Sequence, residues 1–460
     1  MSRARHLGFP PVEREPYVSG VGVSGYKSIE AMQHVEIRPL TILAGANSSG
    51  KSSIMQPLLL LKQTLEATYD PGPLLLDGPN VRFTNVEQFM PKGAGSRATL
   101  SVQIESSVKS SLLLVFQLVR GEGHRLLSTT YKTGEGEYRL EEGMTKEQVA
   151  SAVPSEFRKA FERGFPKDVK WGVARSRCFL QAALMFEGNG AALERVLVTG
   201  FSPAEMMFEG PIRRIIHLPG LRGNPRRTYP KTAVGPAFPG VFQDYSASLV
   251  ALWQENRNAR LNSLAQDMLA LGLTWKVKSR PVDDTQVELQ VGRLPAAAQG
   301  GGWDLVNIAD VGFGVSQVLP VLVALHAAEE GQMVYIEQPE IHLHPKAQVA
   351  MAEVLANAAK RGVRVVAETH SSLLLLGVQR AVAEGSLSPD LVKLHWFQRD
   401  EQGCTKVTSA GLDEQGRFEG EWPEDFGRTE MEAENAYLDA VEQAHKGNAH
   451  AKKAIKEAGH

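Results

Sequence analysis

Apolar and polar positions along the chain predict two regions in which helices and strands alternate. In the second region, three apolar runs predict strands, and three amphipathic patterns before and between them predict helices: strands at 333–336, 363–367 and 391–397, and helices at 316–330, 346–360 and 372–384. Such alternation is typical of an α/β fold with a mostly parallel sheet. Near the N-terminus, apolar runs at 18–23 and 35–43 predict two more strands, and a helical pattern follows at 53–67.

A long stretch of different character separates the two regions. Residues 97–138 alternate apolar and polar positions and are divided by glycine turns, which predicts an antiparallel sheet. Later patterns predict a helix at 146–163, strand-like segments at 179–208, a helix at 242–272, a strand at 286–291 and a glycine loop at 299–302.

One α/β domain interrupted by an insertion explains this pattern better than two independent domains. The predicted divisions are a flexible arm at 1–16, a first lobe at 17–95, an inserted α+β region at 96–303, a second lobe at 304–400, and a C-terminal segment at 401–460 with a helical tail.

A complete phosphate-binding loop follows the second predicted strand. Its residues read G-x-x-x-x-G-K-S without a substitution: Gly45, Ala46, Asn47, Ser48, Ser49, Gly50, Lys51 and Ser52. A strand that turns through glycines into a helix N-terminus points backbone N–H groups at a phosphate. In this arrangement Lys51 would reach the β- and γ-phosphates and the Ser52 hydroxyl would bind Mg²⁺. The sequence therefore predicts a nucleotide site, against the alternative of a structural glycine turn.

Polar residues that could complete such a site occur far downstream. The strand at 333–336 ends in Glu337-Gln338-Pro339-Glu340, and we expect it to lie beside the loop strand and bring Glu337 to Mg²⁺. A second strand ends near His370, where a histidine could contact the γ-phosphate. The turn from Asp310 to Gln317 is rich in glycine and serine and opens a helix, which predicts a second anion-binding helix N-terminus.

The order of these motifs resembles the ABC-type ATPase heads of the OLD and RecF/SMC group. The match is strongest to stand-alone bacterial AAA ATPases with an "EQPEIHLHP" box, and similar proteins are ATPase subunits of anti-phage systems of the Septu and PARIS types. It covers 40–63 and 308–376 well, and 219–230 and 421–426 more loosely. The resemblance implies a P-loop NTPase fold, ATP and Mg²⁺ as ligands, an antiparallel β lobe, and two heads that sandwich ATP between them.

The resemblance also assigns residues. Phosphates would be held by the loop residues named above together with Ser53. Gln88 would be the Q-loop residue near Mg²⁺, and Gly312, Gly314 and Ser316 would act on the other head as the signature. Glu337 would be the Walker B acid and His370 the switch histidine.

Two positions depart from the family pattern. The signature usually begins with serine, where this chain has Asp310. The catalytic glutamate that follows the Walker B acid is replaced by Gln338, and an amide cannot accept a proton as a carboxylate does. Gln338 could still orient water, and Glu340 could supply the missing base. We therefore expect weak hydrolysis or a long-lived ATP-bound state.

Composition changes this picture little. Apolar residues make up 43% of the 460 residues, and the formal net charge of −2 gives no global signal for nucleic acid. The two cysteines, Cys178 and Cys404, exclude a disulfide framework and suit a reducing cytosol. The N-terminus lacks the apolar core of a signal peptide, and the apolar run at 58–61 is too short to span a bilayer. We expect a soluble, cytoplasmic protein.

A cluster of arginines leaves a nucleic-acid partner open. It could bind DNA or RNA phosphates, pair with acidic residues at a subunit interface, or form a solvated face. Its members are Arg213, Arg214, Arg222, Arg226 and Arg227.

Three functional hypotheses follow. The leading one is an ATPase that assembles as a homodimer or higher homo-oligomer around ATP and regulates a separate effector protein, which could be a nuclease in anti-phage defence. The second is a nucleotide-dependent scaffold or sensor with little hydrolysis, which Gln338 favours. The third is a RecF-like repair ATPase that binds DNA directly.

Overall fold

The computed structural model describes residues 15–155, 158–159, 169–187, 195–293 and 304–420, and every structural statement below refers to these residues. The predicted arm at 1–16, except for its last two residues, lies outside them. So do the glycine loop at 299–302, the looser match at 421–426 and the predicted helical tail.

A seven-stranded sheet forms the centre of the fold, in the order β11-β16-β17-β3-β18-β19-β20. Its strands are β3 (Leu40–Gly45), β11 (Ile216–Leu218), β16 (Met333–Glu337), β17 (Arg364–Thr369), β18 (Val392–Arg399), β19 (Thr405–Leu412) and β20 (Phe418–Glu419). The first five strands in this order pair in parallel, and β19 and β20 add on antiparallel. The predicted α/β P-loop NTPase fold with a mostly parallel central sheet is confirmed.

An antiparallel sheet of six strands packs nearby, in the order β2-β1-β4-β5-β6-β7. Its strands are β1 (Val18–Ser24), β2 (Gln33–Glu36), β4 (Arg97–Ser106), β5 (Ser110–Val119), β6 (Gly123–Thr133) and β7 (Gly136–Glu141). This sheet joins strands of the predicted first lobe to strands of the predicted insertion. β11, also from 96–303, lies in the central sheet, so the sheets do not follow the division drawn from the sequence.

Two smaller sheets complete the β structure of the described residues. One has the order β10-β9-β8, and the other has the order β12-β14-β13 with β15 paired to β14. Their strands are β8 (Val169–Ser176), β9 (Phe179–Glu187), β10 (Arg195–Phe201), β12 (Tyr229–Pro230), β13 (Val277–Pro281), β14 (Gln286–Gly292) and β15 (Leu305–Asn307).

The helices follow the predicted pattern with some differences in their bounds. They are α1 (Lys51–Glu66), α2 (Lys146–Ala152), α3 (Pro203–Arg213), α4 (Ser246–Glu255), α5 (Ala259–Ala270), α6 (Phe313–Ala327), α7 (Pro345–Lys360) and α8 (Ser372–Ala383). The predicted helix at 242–272 is two helices, α4 and α5, with Asn258 capping the second. The predicted helix at 146–163 is interrupted, because Pro154 disfavours helical backbone at Val153 and α2 ends before it. Helical backbone is present again at 155 and at 158–159, and residues 156–157 and 160–163 lie outside the described residues.

The prediction that 179–208 is strand-like throughout was wrong at its end. α3 begins at Pro203, and the Ser202 side chain caps it by accepting a hydrogen bond from the backbone N–H of Glu205. Serine before proline, with an acid three residues on, is a helix-start signal in the sequence. The segment was nevertheless predicted as strand-like, because its apolar content resembles that of the strands before it.

Two hydrophobic clusters cover the two faces of the central sheet. In β3, Leu40 and Ile42 belong to one cluster and Leu43 to the other, because successive side chains of a strand point to opposite faces. Burial of both faces explains why the parallel strands read as continuous apolar runs. The carboxyl ends of β3, β17 and β16 therefore meet at one polar edge, where the candidate site lies. No helix in the described ranges is both long and apolar enough to cross a membrane.

Candidate functional site

The phosphate-binding loop joins β3 to α1 in the way the motif requires. Gly45 has a φ of +145°, and a Cβ atom there would lie 2.2 Å from the carbonyl oxygen of Phe397. Gly50 has a φ of +109°, and its Cβ would lie 2.4 Å from Thr405 Oγ1. Both positions therefore require glycine, for backbone conformation and for space. Ala46, Asn47 and Ser48 are exposed at the loop apex, and Ser52 and Ser53, the second and third residues of α1, are half-buried.

Lys51 is folded back into this loop. Its side chain is buried, and Nζ donates hydrogen bonds to the carbonyl oxygens of Gly45 (3.0 Å) and Ala46 (2.7 Å). It also lies 3.5 Å from Nδ1 of His370. Burial lowers the pKa of Lys51, and the charges of Glu368 and Glu340 oppose that shift. The ammonium group is thus held by neutral carbonyls at the position where phosphate oxygens would compete for it.

The apex of the loop is held by the β18–β19 hairpin. Arg399 Nε donates to the carbonyl oxygen of Ser48 (2.8 Å), and Thr405 Oγ1 donates to that of Ser49 (2.8 Å). Ser28 Oγ lies 2.8 Å from Thr405 Oγ1. Sequence reasoning did not find these residues, because nothing near 399–405 in the chain points to the loop. The Ser49 hydroxyl is buried without a hydrogen-bond partner among the described residues, which suits a phosphate ligand.

Glu368 is the carboxylate in direct contact with the loop serine. Ser52 Oγ donates to Glu368 Oε1 (2.9 Å), and Tyr335 Oη donates to Oε2 (3.0 Å). Burial raises the pKa of Glu368, and the negative charge of Glu337 raises it further. Sequence analysis did not select Glu368, although it is the next-to-last residue of β17 and lies two positions before His370, a signal similar to the one that selected Glu337.

The order of strands explains why Glu337 does not occupy that position. β17 lies between β3 and β16, so the expectation that the Glu337 strand is the direct neighbour of the loop strand is wrong. Glu337 Oε1 lies 3.2 Å from Nε2 of His217, and Oε2 accepts a hydrogen bond from the backbone N–H of Gly220 (3.1 Å).

The environment of Glu337 keeps it ionised. Burial alone would raise its pKa, but the hydrogen bond and charge of His217 and the Gly220 N–H outweigh burial, and the net pKa is lowered. His217 is oriented from its other nitrogen, since Nδ1 lies 3.2 Å from Asn80 Oδ1, and its ring stacks on Tyr335 with 5.3 Å between centroids. Asn80, His217 and Glu337 therefore form a chain of polar contacts beside Glu368.

Glu340 contacts the backbone of His370, the predicted switch histidine. Its Oε1 accepts hydrogen bonds from Thr369 Oγ1 (2.5 Å) and from the backbone N–H of His370 (3.3 Å). The side chain is buried, and burial raises its pKa. These contacts favour a role in positioning His370 over the role of water-activating base considered from the sequence. His370 itself has a lowered pKa, from burial and then from the charge of Lys51.

Gln338 adopts an unusual backbone conformation between the two acids. Its φ is +48°, and its backbone N–H donates to the carbonyl oxygen of Glu368 (2.7 Å). Arg222 Nη2 donates to the carbonyl oxygens of Glu337 (2.6 Å) and Gln338 (3.2 Å). A non-glycine residue in the left-handed region is strained and needs such support from its surroundings. The turn after β16 is therefore held by β17 on one side and by Arg222 on the other.

The predicted signature residues start α6 and contact the turn after β16. Gly312 is the N-cap, Gly314 lies in the first turn, and Ser316 Oγ donates to the carbonyl oxygen of Phe313 (3.0 Å). A Cβ on Gly314 would lie 3.3 Å from the carbonyl oxygen of His342. The Phe313 side chain is 54% exposed next to this turn.

Asp310 and Gln88 are two further residues that the sequence analysis connected with the nucleotide site. Asp310, at the first position of the signature, is paired with Arg227 through both carboxylate oxygens (2.7 and 3.1 Å). Gln88 ends a short 3₁₀ helix and is exposed, and its amide oxygen accepts a hydrogen bond from the backbone N–H of Thr84 (2.7 Å). These contacts do not connect Gln88 to the site, and its role near Mg²⁺ stays a prediction.

The arginine cluster does not form one free basic surface. Arg222 is buried, so its predicted availability to nucleic acid is corrected. Arg213 pairs with Glu209 (3.2 Å) and Arg214 with Glu329 (2.7 Å), while Arg227 pairs with Asp310. Arg226 is exposed. Within this chain the cluster mostly neutralises carboxylates.

The oxygen ligands at this edge fit Mg²⁺. Ser52 supplies a hydroxyl, and Glu368 and Glu337 supply carboxylates, all of them hard oxygen donors. Within the described ranges, no group of three or more His, Cys, Asp or Glu side chains could hold a metal ion by itself. Mg²⁺ usually keeps several waters and is bound by one or two carboxylates together with substrate phosphates.

Residues 298–376 match the profile of a protein family described as "AAA domain, putative AbiEii toxin, Type IV TA system". This stretch is similar to AAA-type ATPase domains. It contains the predicted signature turn, Glu337 and His370, and the phosphate-binding loop lies outside it. The match therefore supports a nucleotide-binding ATPase domain from residues other than the loop motif.

Comparisons of sequence with curated proteins find no match. Among solved structures, one SMC head bound to the C-winged helix domain of ScpA has a TM-score of 0.42 at 12% identity, covering 86% of this chain and 98% of that one. The SMC head domain from Thermotoga maritima has a TM-score of 0.37 at 12% identity, with 85% and 98% covered. The Smc head of Pyrococcus furiosus, bound to the C-terminal domain of ScpA, has a TM-score of 0.41 at 11% identity, with 86% and 96% covered.

Proposed function

We propose that the protein is an ABC-type ATPase that binds ATP and Mg²⁺ at the phosphate-binding loop and hydrolyses ATP slowly. The observation that carries this proposal is the convergence of Lys51, Ser52, Glu368, Glu337 and His370 at one edge of the central sheet. These residues come from the start of α1, the end of β16 and the end of β17 with the residue that follows it, and the three segments lie apart in sequence. Together they offer a phosphate cradle, oxygen ligands for a cation and a histidine beside the lysine.

Each residue has a distinct role in this proposal. The loop N–H groups and Lys51 bind the β- and γ-phosphates, and Ser52 and Glu368 hold the cation. Bound Mg²⁺ would neutralise the charge of the transferring phosphoryl group. Gln338 orients water through its amide but cannot accept its proton, so hydrolysis is expected to be slow. His370, positioned by Glu340, contacts the γ-phosphate.

We expect Gln338→Glu to raise ATP turnover about tenfold or more, because a positioned general base contributes roughly 10²- to 10⁴-fold in other enzymes. Turnover of the purified protein with Mg²⁺ is the test, with Gln338→Ala beside it to show whether the amide itself contributes. If the natural sequence hydrolyses ATP fast and Gln338→Glu does not increase the rate, the claim that a general base is missing at this position is wrong.

Assembly through ATP-bound heads is the second part of the proposal. Gly312, Gly314 and Ser316 would contact the nucleotide held by another copy, as the resemblance implies. Two observations support this: the signature turn begins a 15-residue helix, whose N-terminus favours anions, and Phe313 is exposed beside it.

We expect Gly314→Asp to prevent ATP-dependent dimerisation while each copy still binds ATP, because a carboxylate would face the phosphates of the other head. Gly314→Ala is the steric control, since its Cβ would also lie 3.3 Å from the carbonyl oxygen of His342. Mass in solution with and without ATP measures the effect. A Gly314→Asp protein that still dimerises with ATP would show that the signature assignment in trans is wrong.

Regulation of a separate effector, with a role in anti-phage defence, is the biological setting that the family resemblance favours. A scaffold or sensor that binds ATP and barely hydrolyses it is the second candidate, and the amide at Gln338 favours it. The rate of ATP turnover by the purified protein distinguishes the two candidates. Direct DNA binding is less well supported, since Arg222 is buried and three of its neighbours in the cluster pair with acids.

A further inference from the structure

Two acidic side chains at the edge of the central sheet are direct neighbours. Glu337 ends β16, and Glu368 is its register partner in β17. Register partners on adjacent strands present their side chains on the same face of the sheet. Two free carboxylates in this arrangement, together with the Ser52 hydroxyl, would surround a cation with oxygen ligands.

The contacts of the two carboxylates nevertheless come from opposite sides. Glu368 Oε1 accepts a hydrogen bond from Ser52 at the start of α1, the helix that follows β3. Glu337 Oε1 lies 3.2 Å from Nε2 of His217 in β11, and Oε2 accepts a hydrogen bond from the backbone N–H of Gly220 just after β11 (3.1 Å). In the order β11-β16-β17-β3, Glu337 is therefore held toward β11 and Glu368 toward the phosphate-binding loop.

His217 is fixed on its other sides as well. Its buried ring stacks on that of Tyr335, with 5.3 Å between centroids and 12° between planes, and Tyr335 Oη donates to Glu368 Oε2 (3.0 Å). His217 Nδ1 lies 3.2 Å from Asn80 Oδ1. The backbone N–H of Asn80 donates to Gln63 Oε1 in α1 (3.2 Å). The imidazole is thus held in a single position from which it fixes the orientation of Glu337.

Arg222 is a further charged group near Glu337, but its hydrogen bonds hold the backbone. Its guanidinium donates to the carbonyl oxygens of Glu337 and Gln338, while its positive charge acts on the carboxylate from a distance. The N–H of Gly220 also belongs to the backbone. Replacement of His217 is therefore the side-chain change that removes a direct contact of the Glu337 carboxylate.

We propose that His217 is a specificity-determining residue that makes the nucleotide site select Mg²⁺ over Ca²⁺. By holding Glu337 toward β11, it leaves Glu368 as the carboxylate available to the cation beside Ser52. Mg²⁺ needs few carboxylates because it keeps several waters, whereas Ca²⁺ takes roughly six to eight oxygen ligands in a flexible geometry. A second free carboxylate would favour Ca²⁺. This inference rests on the proposed function, since it concerns the cation of the same site.

His217→Phe tests the proposal, because phenylalanine keeps a ring that can stack on Tyr335 and lacks both nitrogens. Calorimetry measures the Kd of a non-hydrolysable ATP analogue with saturating Mg²⁺ and with saturating Ca²⁺. We expect the natural sequence to bind more tightly with Mg²⁺, and His217→Phe to lower this preference at least fivefold, mainly through tighter binding with Ca²⁺. Replacing residues that orient metal-binding groups typically changes metal affinity about 10- to 100-fold.

Three further variants make the test specific. His217→Gln can place an amide N–H near the position of Nε2 and should keep most of the preference for Mg²⁺. His395→Phe is the matched control, because it replaces another buried histidine of the central sheet, which contacts Ser409 and the carbonyl oxygen of Glu36, and it should leave the preference unchanged. Adding Glu337→Gln to His217→Phe should restore the preference, because the released carboxylate is then absent.

The Tm of each variant without nucleotide shows whether it folds. An unchanged preference in folded His217→Phe protein, or a loss that the added Glu337→Gln does not reverse, overturns the proposal. If His217→Phe does not fold, Asn80→Ala removes the contact at Nδ1 and should shift the preference toward Ca²⁺ at least twofold, and the absence of that shift overturns the proposal as well.

Cation binding without nucleotide separates this proposal from the proposed function. Displacement of Mn²⁺ by Mg²⁺ and by Ca²⁺ is followed by electron paramagnetic resonance in the natural sequence and in His217→Phe. If the natural sequence binds no nucleotide, the proposed function is wrong, and a shift of the displacement toward Ca²⁺ in His217→Phe still supports the role of His217. If the natural sequence binds no cation with or without nucleotide, both proposals are wrong.

Discussion

Lys51→Ala is expected to lower the affinity for ATP by roughly 100-fold or more, the largest effect of any substitution considered. Lys51 is the cation at the centre of the loop, with Nζ held by two loop carbonyls. A charge-assisted hydrogen bond contributes about 1.5–3 kcal/mol, and about 1.4 kcal/mol corresponds to a tenfold change in Kd. Calorimetric titration with ATP and Mg²⁺ measures the loss.

Loss of binding should not come from loss of folding. Burial lowers the pKa of Lys51, which means that its charge is poorly solvated in the folded chain. Removing that charge should leave the Tm without nucleotide unchanged or raised, while the rise in Tm on adding ATP disappears. Lys360→Ala, at the exposed end of α7, is the matched lysine control. It should keep the Tm of the natural sequence without nucleotide and the rise in Tm on adding ATP. If Lys51→Ala binds ATP like the natural sequence, the nucleotide site is not at this loop.

Glu368→Gln is expected to remove most of the effect of Mg²⁺ on ATP binding and to reduce turnover by roughly 100-fold. Glu368 is the carboxylate that accepts the hydrogen bond of Ser52, and Gln has nearly the same shape but no charge. The amide can keep contacts with Ser52 and Tyr335, so folding should be preserved. ATP affinity is measured with Mg²⁺ and with EDTA, and binding of Mn²⁺ in the presence of ATP is followed by electron paramagnetic resonance.

Glu337→Gln is the matched comparison, because it tests the assignment made from the sequence. Glu337 is already bonded to His217 and to the backbone N–H of Gly220, so its removal should change Mn²⁺ binding less than Glu368→Gln does. If Glu337→Gln changes Mn²⁺ binding more than Glu368→Gln does, Glu337 is the main cation ligand. The contact between Ser52 and Glu368 then does not mark the cation site. Glu368→Asp should recover part of the metal binding if charge is what matters.

Elements built from contiguous residues could be predicted from the sequence. The loop from Gly45 to Ser52 is such an element, since its two key glycines have the positive φ values that the turn needs. The parallel strands could also be predicted, because burial on both faces makes them continuous apolar runs. α3 was missed although its cap signal at Ser202 and Pro203 is local, because its apolar content resembled that of the strands before it.

Residues that act through distant partners could not be assigned in this way. Glu337 and Glu368 both lie at or next to the end of an apolar strand and look alike in the sequence. Only the order β16-β17-β3 puts Glu368 against Ser52. Arg222 reads as part of a basic surface cluster, yet the fold buries it against the turn after β16.

The sequence by itself thus determined the phosphate-binding loop, the mostly parallel α/β architecture and the absence of a carboxylate at Gln338, because each depends on neighbouring residues. Tertiary structure alone decided which acid contacts Ser52, what orients Glu337 and what holds the loop apex. Those choices depend on which strands pair and which side chains are buried together. Apolar periodicity reports that a strand is buried and carries no information on its neighbours in the sheet.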